Sequence, residues 1–172
     1  TNASGIFLKD IPQELAEGIS RDSSYQVMKD DISMEIAIPQ RWLQLSDYEK
    51  DLKHKYLQRS KKMRKAFEQV NVMELDEDGL KKYATDIYRL YLQVTQKQIV
   101  SMGMLNEDFF VMLKDVLREK YRVCGFFVDG KLIAFSSAIL HDGVYDMNYI
   151  GIDYQYNGSF HLYFNILFHC LE

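Results

Sequence analysis

Residues 122–153, RVCGFFVDGKLIAFSSAILHDGVYDMNYIGID, decide the fold. An apolar run over 123–128 meets Asp129-Gly130, a second over 132–140 meets Asp142-Gly143, and a third follows over 145–152. Asp-Gly between two β-rich runs marks a two-residue turn that needs positive φ, so the stretch predicts a three-strand antiparallel meander. Strands this apolar require helices over both faces.

Working outward, the flanking sequence supplies them. Leu80, Tyr83, Ile87, Leu90, Tyr91 and Val94 recur at helical spacing and predict an amphipathic helix over 80–96. Phe109, Met112, Leu113, Val116 and Leu117 predict another over 106–119, with Asn106 as its cap and Glu107 and Asp108 in its first turn. Val72–Leu75 reads as a strand before this pair, and 100–105 with Gly103 as the loop between them. After the meander, 159–172 reads as an aromatic-rich helix. Nearer the start, Ser46-Asp47-Tyr48-Glu49 has the form of a capping box. It opens one long helix with Leu45, Tyr48, Leu52, Tyr56, Met63 and Phe67 on its apolar face. Met34, Ile36 and Ile38 alternate up to Pro39 and predict an edge strand. Residues 12–19 predict a short helix with Pro12 in its first turn and Asp10 as cap.

At 47% apolar and 13% aromatic, the 172 residues can build a core, so disorder is not the default. Net charge is −4, which gives no general pull toward nucleic acid. The charge is uneven, however: residues 46–65 carry eight basic side chains against three acidic ones, a local +5 that leaves −9 elsewhere. Such a run either contacts phosphates or is a solvated helix face. No helix-turn-helix or zinc pattern accompanies it, which disfavours DNA binding. Cys124 and Cys170 form neither a disulfide framework nor a C-x-x-C pair and read as buried, inert thiols. His54, His141, His161 and His169 lack ligand spacing, so no metal is implied. Ser136-Ser137 sits in no G-x-S-x-G elbow. With no signal-like segment and no apolar run near about 18 residues, a cytoplasmic setting and no membrane span are expected. Starting at Thr1 and stopping inside a helical pattern at Glu172, the chain reads as a fragment of a longer protein.

Two stretches carry a family resemblance. Asp47-Tyr48 with Leu57-Gln58-Arg59-Ser60-Lys61-Lys62-Met63-Arg64-Lys65 is similar to a "Y…LSKKxRK" helix, and Tyr149-Ile150-Gly151-Ile152-Asp153-Tyr154 to a "GxD" strand end leading into a helix. Both features resemble the GNAT acyltransferase superfamily, and within it the Fem-like peptidoglycan-type N-acyltransferases and their relatives from cell-wall or exopolysaccharide loci. The resemblance spans roughly residues 42–172. It implies an α/β, GNAT-like fold: a mixed, mostly antiparallel sheet flanked by helices, present as an incomplete unit. Residues 1–40 would be the tail of an upstream unit, 41–71 a basic amphipathic helix and 72–172 the N-terminal part of the acyltransferase domain. The implied reaction moves an acyl or aminoacyl group onto an amine acceptor. The implied donor is acyl-CoA, or an aminoacyl-tRNA held through the basic helix 50–65. A non-catalytic binding or assembly module on the same fold is the rival, and an unpaired sheet edge would allow a dimer.

The resemblance also assigns residues. Backbone N–H groups of the fourth strand, from Ile150, Gly151 and Ile152, would polarise the acyl carbonyl. Gly151 reads as a close backbone approach or as the easing of a bulge. A donor pyrophosphate would sit at the start of the next helix, on a [Q/R]-x-x-G-x-[G/A] loop. Here Gln155-Tyr156-Asn157-Gly158-Ser159-Phe160 keeps Gln155 and Gly158 but places Phe160 where a small residue belongs, which leans against acetyl-CoA. Asn157-Gly158-Ser159 reads equally as a plain turn and cap. For the base the choice is Asp146, which strict alternation groups with Asn148, opposite Tyr145, Tyr149 and Gly151. Asp153 is a further carboxylate at the strand end. Each carboxylate also reads as an ordinary polar strand residue. Catalysis predicts that Asp146→Asn or Gly151→Val stops turnover without unfolding.

Overall fold

A computed structural model describes residues 11–21, 24–26, 34–97 and 104–172. They belong to two compact units, Thr1–Ile38 and Pro39–Glu172. In the first, α1 (Gln13–Ile19) follows Pro12 at the N-cap position and buries none of its residues. Asp10, its expected cap, lies outside the described residues. The strand expected over Met34–Ile38 does not form: among the described residues the segment has no ladder partner, and Met34 is 85% exposed. Alternation alone cannot make a strand without pairing.

In the second unit β1 (Asn71–Glu74), β2 (Tyr121–Val128), β3 (Lys131–His141) and β4 (Val144–Ile152) form one sheet in that order, each pair antiparallel. Helices flank it, giving the expected α/β class. Both Asp-Gly turns are left-handed at two successive residues, with φ of 49° and 76° at Asp129-Gly130 and 48° and 77° at Asp142-Gly143. That matches the twist of the strands they join.

One face of the sheet is covered by α4 (Glu77–Thr95) and α5 (Phe109–Leu117), around Ile87, Leu90, Phe110, Tyr121 and Phe135. The α4 helix starts three residues before its apolar pattern, because the Asp76 carboxylate accepts the Gly79 N–H at 2.8 Å. In contrast α5 starts three residues later than expected and has no side-chain cap. Asn106 contributes its backbone carbonyl to the Phe109 N–H, and Glu107 takes the Thr85 hydroxyl instead.

The other face packs Phe126, Ala134 and Ile152 against Leu162 and Ile166 of α7 (Leu162–His169). The Phe67 ring of α3 (His54–Phe67) lies 5.9 Å from that of Phe126, so the helical segment 41–71 and residues 72–172 share one unit. The expected long helix is broken. Between α2 (Leu45–Asp51) and α3, Leu52 and Lys53 are extended, at ψ 139° and 142°. The capping box is not made: Asp47 accepts the Leu43 N–H and pairs with Lys50. Glu49 instead accepts from buried Ser60 at 3.0 Å and from Arg64 at 3.2 Å, bonds that require α3 to fold back on α2. The break resets the helical phase, and Tyr56, expected on the apolar face, is 54% exposed.

The helix expected over 159–172 is shorter, α7, and the stretch before it expected as a loop is itself helical, α6 (Tyr154–Phe160), with His161 left-handed between them at φ 48° and ψ 45°. The buried Asn165 amide donates to the carbonyls of Phe160, His161 and Met63, which satisfies the freed groups and fastens α7 to α3.

A bulge in β4 corrects the face assignment. Ser137 pairs with Tyr149 but Ala138 with Met147, leaving Asn148 as the extra residue, its Oδ1 accepting the Ser137 hydroxyl at 2.8 Å. Met147 and Ile150 therefore pack on the α7 face and Tyr149 on the α4 face. Tyr145 lies with Met147, beside Cys170 and Cys124, not with Tyr149.

Candidate active site

The end of β4 holds most of the expected site residues. The Asp153 N–H donates to the Ile133 carbonyl at 2.8 Å. Antiparallel alternation then turns Gly151 toward β3 and points the N–H groups of Ile150 and Ile152 away from it. Among the described residues no strand pairs with that edge. Two backbone donors thus point away from the ladder, one on half-buried Ile150 and one on Ile152, which is 2% exposed.

At Gly151 the approaching group is the backbone of α4. A Cβ there would stand 2.3 Å from Phe135 Cε1 and 2.8 Å from the Leu90 carbonyl carbon. The bulge it was read as easing lies three residues earlier, at Asn148. Gly151→Val would collide with a helix backbone, so it does not separate chemistry from folding.

Gln155, Asn157, Gly158 and Ser159 are not in a loop; all four lie inside α6. Its N-cap is Asp153, whose carboxylate accepts the Gln155 N–H at 3.1 Å. That carboxylate is almost wholly buried, with Arg89 Nη1 at 3.5 Å and Lys131 Nζ at 3.4 Å. A negative charge of the chain's own already caps this turn, where the family pattern would seat a diphosphate. Asn157 Oδ1 accepts the Tyr163 N–H, so its side chain ties α6 to the first turn of α7.

The structure does not bring Asp146 to this point. It pairs with Ile139 near the other end of β4, 58% exposed, with its Oδ2 4.0 Å from His141 Nε2. At about 3.3 Å per residue, it lies about 13 Å along the strand from Ile150.

Sequence reading missed the groups that surround the strand end. Arg89 reaches Asp153 and the Leu132 carbonyl, Gln93 Oε1 accepts the Tyr154 N–H, and the Lys131 ammonium lies 4.7 Å from the Tyr156 ring. Only the fold unites them; the one signal available was that Arg89 and Gln93 lie one turn apart on α4.

Behind the strand end, the Tyr149 ring packs edge-on against Tyr91, Phe109 and Phe110, and burial raises its phenol pKa. Tyr121, fully buried, has its pKa pushed up to about 12 by burial, although nearby Ser137 pulls the other way. The Ser137 hydroxyl donates to Asn148, and among the described residues the Tyr121 hydroxyl has no partner at hydrogen-bonding geometry.

No protein-family model matches the chain, and no curated protein matches it. Among solved structures it is similar to an aminoglycoside acetyltransferase from an uncultured soil metagenomic sample, crystallised in complex with sisomicin. The two are 12% identical with a TM-score of 0.40, over 59% of this chain and 70% of that one. So slight a likeness carries no function. Among the described residues no three His, Cys, Asp or Glu side chains gather to hold a metal ion, and no helix is long and apolar enough to cross a membrane.

Proposed function

We propose that residues 72–172 are a GNAT-like N-acyltransferase module that moves an acyl or aminoacyl group onto an amine. The observation that carries this reading is the outward pair of N–H groups at Ile150 and Ile152, on an edge with no described partner strand. An amine attacking a thioester or ester carbonyl puts negative charge on its oxygen. Fixed donors aimed there stabilise that charge more than the ground state. The tetrahedral intermediate then expels the thiolate of CoA, or the ribose hydroxyl of a tRNA, and the amine loses a proton.

Asp146 would serve as base only through a chain of several waters, since about 13 Å of strand separates it from Ile150, farther than one bridging water spans. Asp153 is nearer but committed to Gln155, Arg89 and Lys131. For an acyl-CoA donor, Gln155, Asn157, Gly158 and Ser159 on α6 would face the phosphates, with Arg89 and Lys131 supplying charge. The Asp153 cap weighs against a diphosphate on that turn and toward an aminoacyl-tRNA engaged through residues 50–65. A cytoplasmic role in cell-wall or exopolysaccharide synthesis, with an unidentified amine acceptor, fits this chemistry. Pairing along β4 would make a dimer.

Ile150→Pro tests it. Proline deletes an N–H that points away from the ladder, a position edge strands tolerate. Binding of acetyl-CoA, a longer acyl-CoA and charged tRNA is measured by calorimetry, and transfer to a panel of amines by product mass. The expected result is a folded variant whose transfer rate falls about 10²–10³-fold. If the wild-type chain binds none of the three donors, the transferase reading fails.

The buried Asp153 cap and the remoteness of Asp146 favour a second reading, a binding or assembly module on the same fold. In that case Asp146→Asn and Ile150→Pro leave partner affinity unchanged.

A further inference from the structure

The 14 residues of α3 include Lys55, Arg59, Lys61, Lys62, Arg64 and Lys65 and no acidic side chain. Among the described residues only Arg64 is ion-paired, to Glu49 and Glu172. The other five are exposed, and among the described residues none has a carboxylate within 4.0 Å. In a protein of net charge −4, this is a strong local reserve of uncompensated positive charge.

Aromatic rings stand among these cations. Tyr56 is 54% exposed, beside Lys55 and one helical turn from Arg59. The Arg59 guanidinium lies 5.2 Å from the Phe164 ring of α7, and Phe164 packs edge-on against Tyr163; both rings are 39% exposed. The core does not account for them.

The candidate polyanions differ in what they offer this surface. A duplex presents phosphates but no free base faces, and an acidic peptide leaves the rings without partners. A lipid surface takes up a helix by its apolar face, yet in α3 that face is spent inside the protein, with Met63 only 6% exposed. A single strand offers both a phosphate at each step and bases free to stack.

We propose that the α3–α7 surface binds single-stranded nucleic acid, with Lys55, Arg59 and Lys62 on its phosphates and Tyr56, Tyr163 and Phe164 under its bases. The proposal does not depend on acyl transfer, and its test needs no acyl donor.

The 172-residue chain is titrated by fluorescence anisotropy with a 12-nucleotide oligo(U), a duplex of equal length, heparin and anionic phospholipid vesicles, at several salt concentrations. Oligo(U) should bind most tightly. Tyr56→Ala and Phe164→Leu should each weaken it about tenfold while leaving heparin unchanged. Lys62→Gln should weaken both polyanions and flatten the oligo(U) salt slope by about 0.7. Tyr56 is exposed, so its variant tests stacking without disturbing the core. No binding at low salt overturns the proposal. So does equal or tighter binding of duplex, heparin or vesicles, or indifference of oligo(U) to both aromatic substitutions.

Discussion

Tyr121 shows how a single side chain can oppose the fold it helps to fill. Its ring is fully buried in the core shared by the sheet, α4 and α5, and among the described residues its hydroxyl has no partner. Burying a polar group without a hydrogen bond costs about 1–3 kcal/mol. Tyr121→Phe should therefore be neutral or raise stability by up to about 1 kcal/mol, read from denaturant midpoints at constant slope. A clear loss would mean that the hydroxyl is satisfied after all. The same scale explains why the site was only partly legible in sequence. The strand that carries Ile150 and Ile152 and ends at Asp153 is legible from its apolar run and turn, whereas the roles given to these residues come from the family resemblance. Arg89, Gln93 and Lys131 were not found, because each reaches the strand end from a distant element.

Local chemistry accounts for the elements that sequence reading recovered. Asp-Gly fixes its turn within two residues, so the pairing next to each turn of the meander could be read directly. The break at Leu52 could not, since it follows from Glu49 bonding Ser60 and Arg64 across the chain. Nor could the bulge at Asn148, where one extra residue moves Tyr145 off the face of Tyr149. Packing of α4 on β4 is the element-scale contact most open to test. Gly151→Ala puts a methyl group against Phe135 and the Leu90 backbone, and should destabilise by about 1–3 kcal/mol. Gly151→Val should lose cooperative unfolding. A near-neutral alanine variant, measured by thermal melting, would show that α4 can give way.

Taken whole, the molecule keeps several proton-bearing groups out of water. Burial, the largest cause in each case, raises the Cys170 thiol to about 11 and the Tyr121 and Tyr145 phenols to about 12. In the unfolded chain these groups ionise near 9 for the thiol and 10 for the phenols. Between those values the folded chain holds more protons than the unfolded one, so stability falls as pH rises. It should be level with respect to these groups below pH 9 and decline from about 9 toward 12. Guanidinium midpoints at pH 7, 9, 10 and 11 measure this, and a midpoint unchanged to pH 11 would contradict it.

Asn165 has a mechanical consequence. One buried amide acts as a shared bearing for three bodies: the cationic helix through Met63, the strand-end helix through Phe160, and the helix that carries Asn165 itself. Sliding any one of them drags the others or breaks buried bonds, at about 1–3 kcal/mol for each group left unpaired. A load placed on α3 is therefore carried through Asn165 to α6, the segment that follows Ile152.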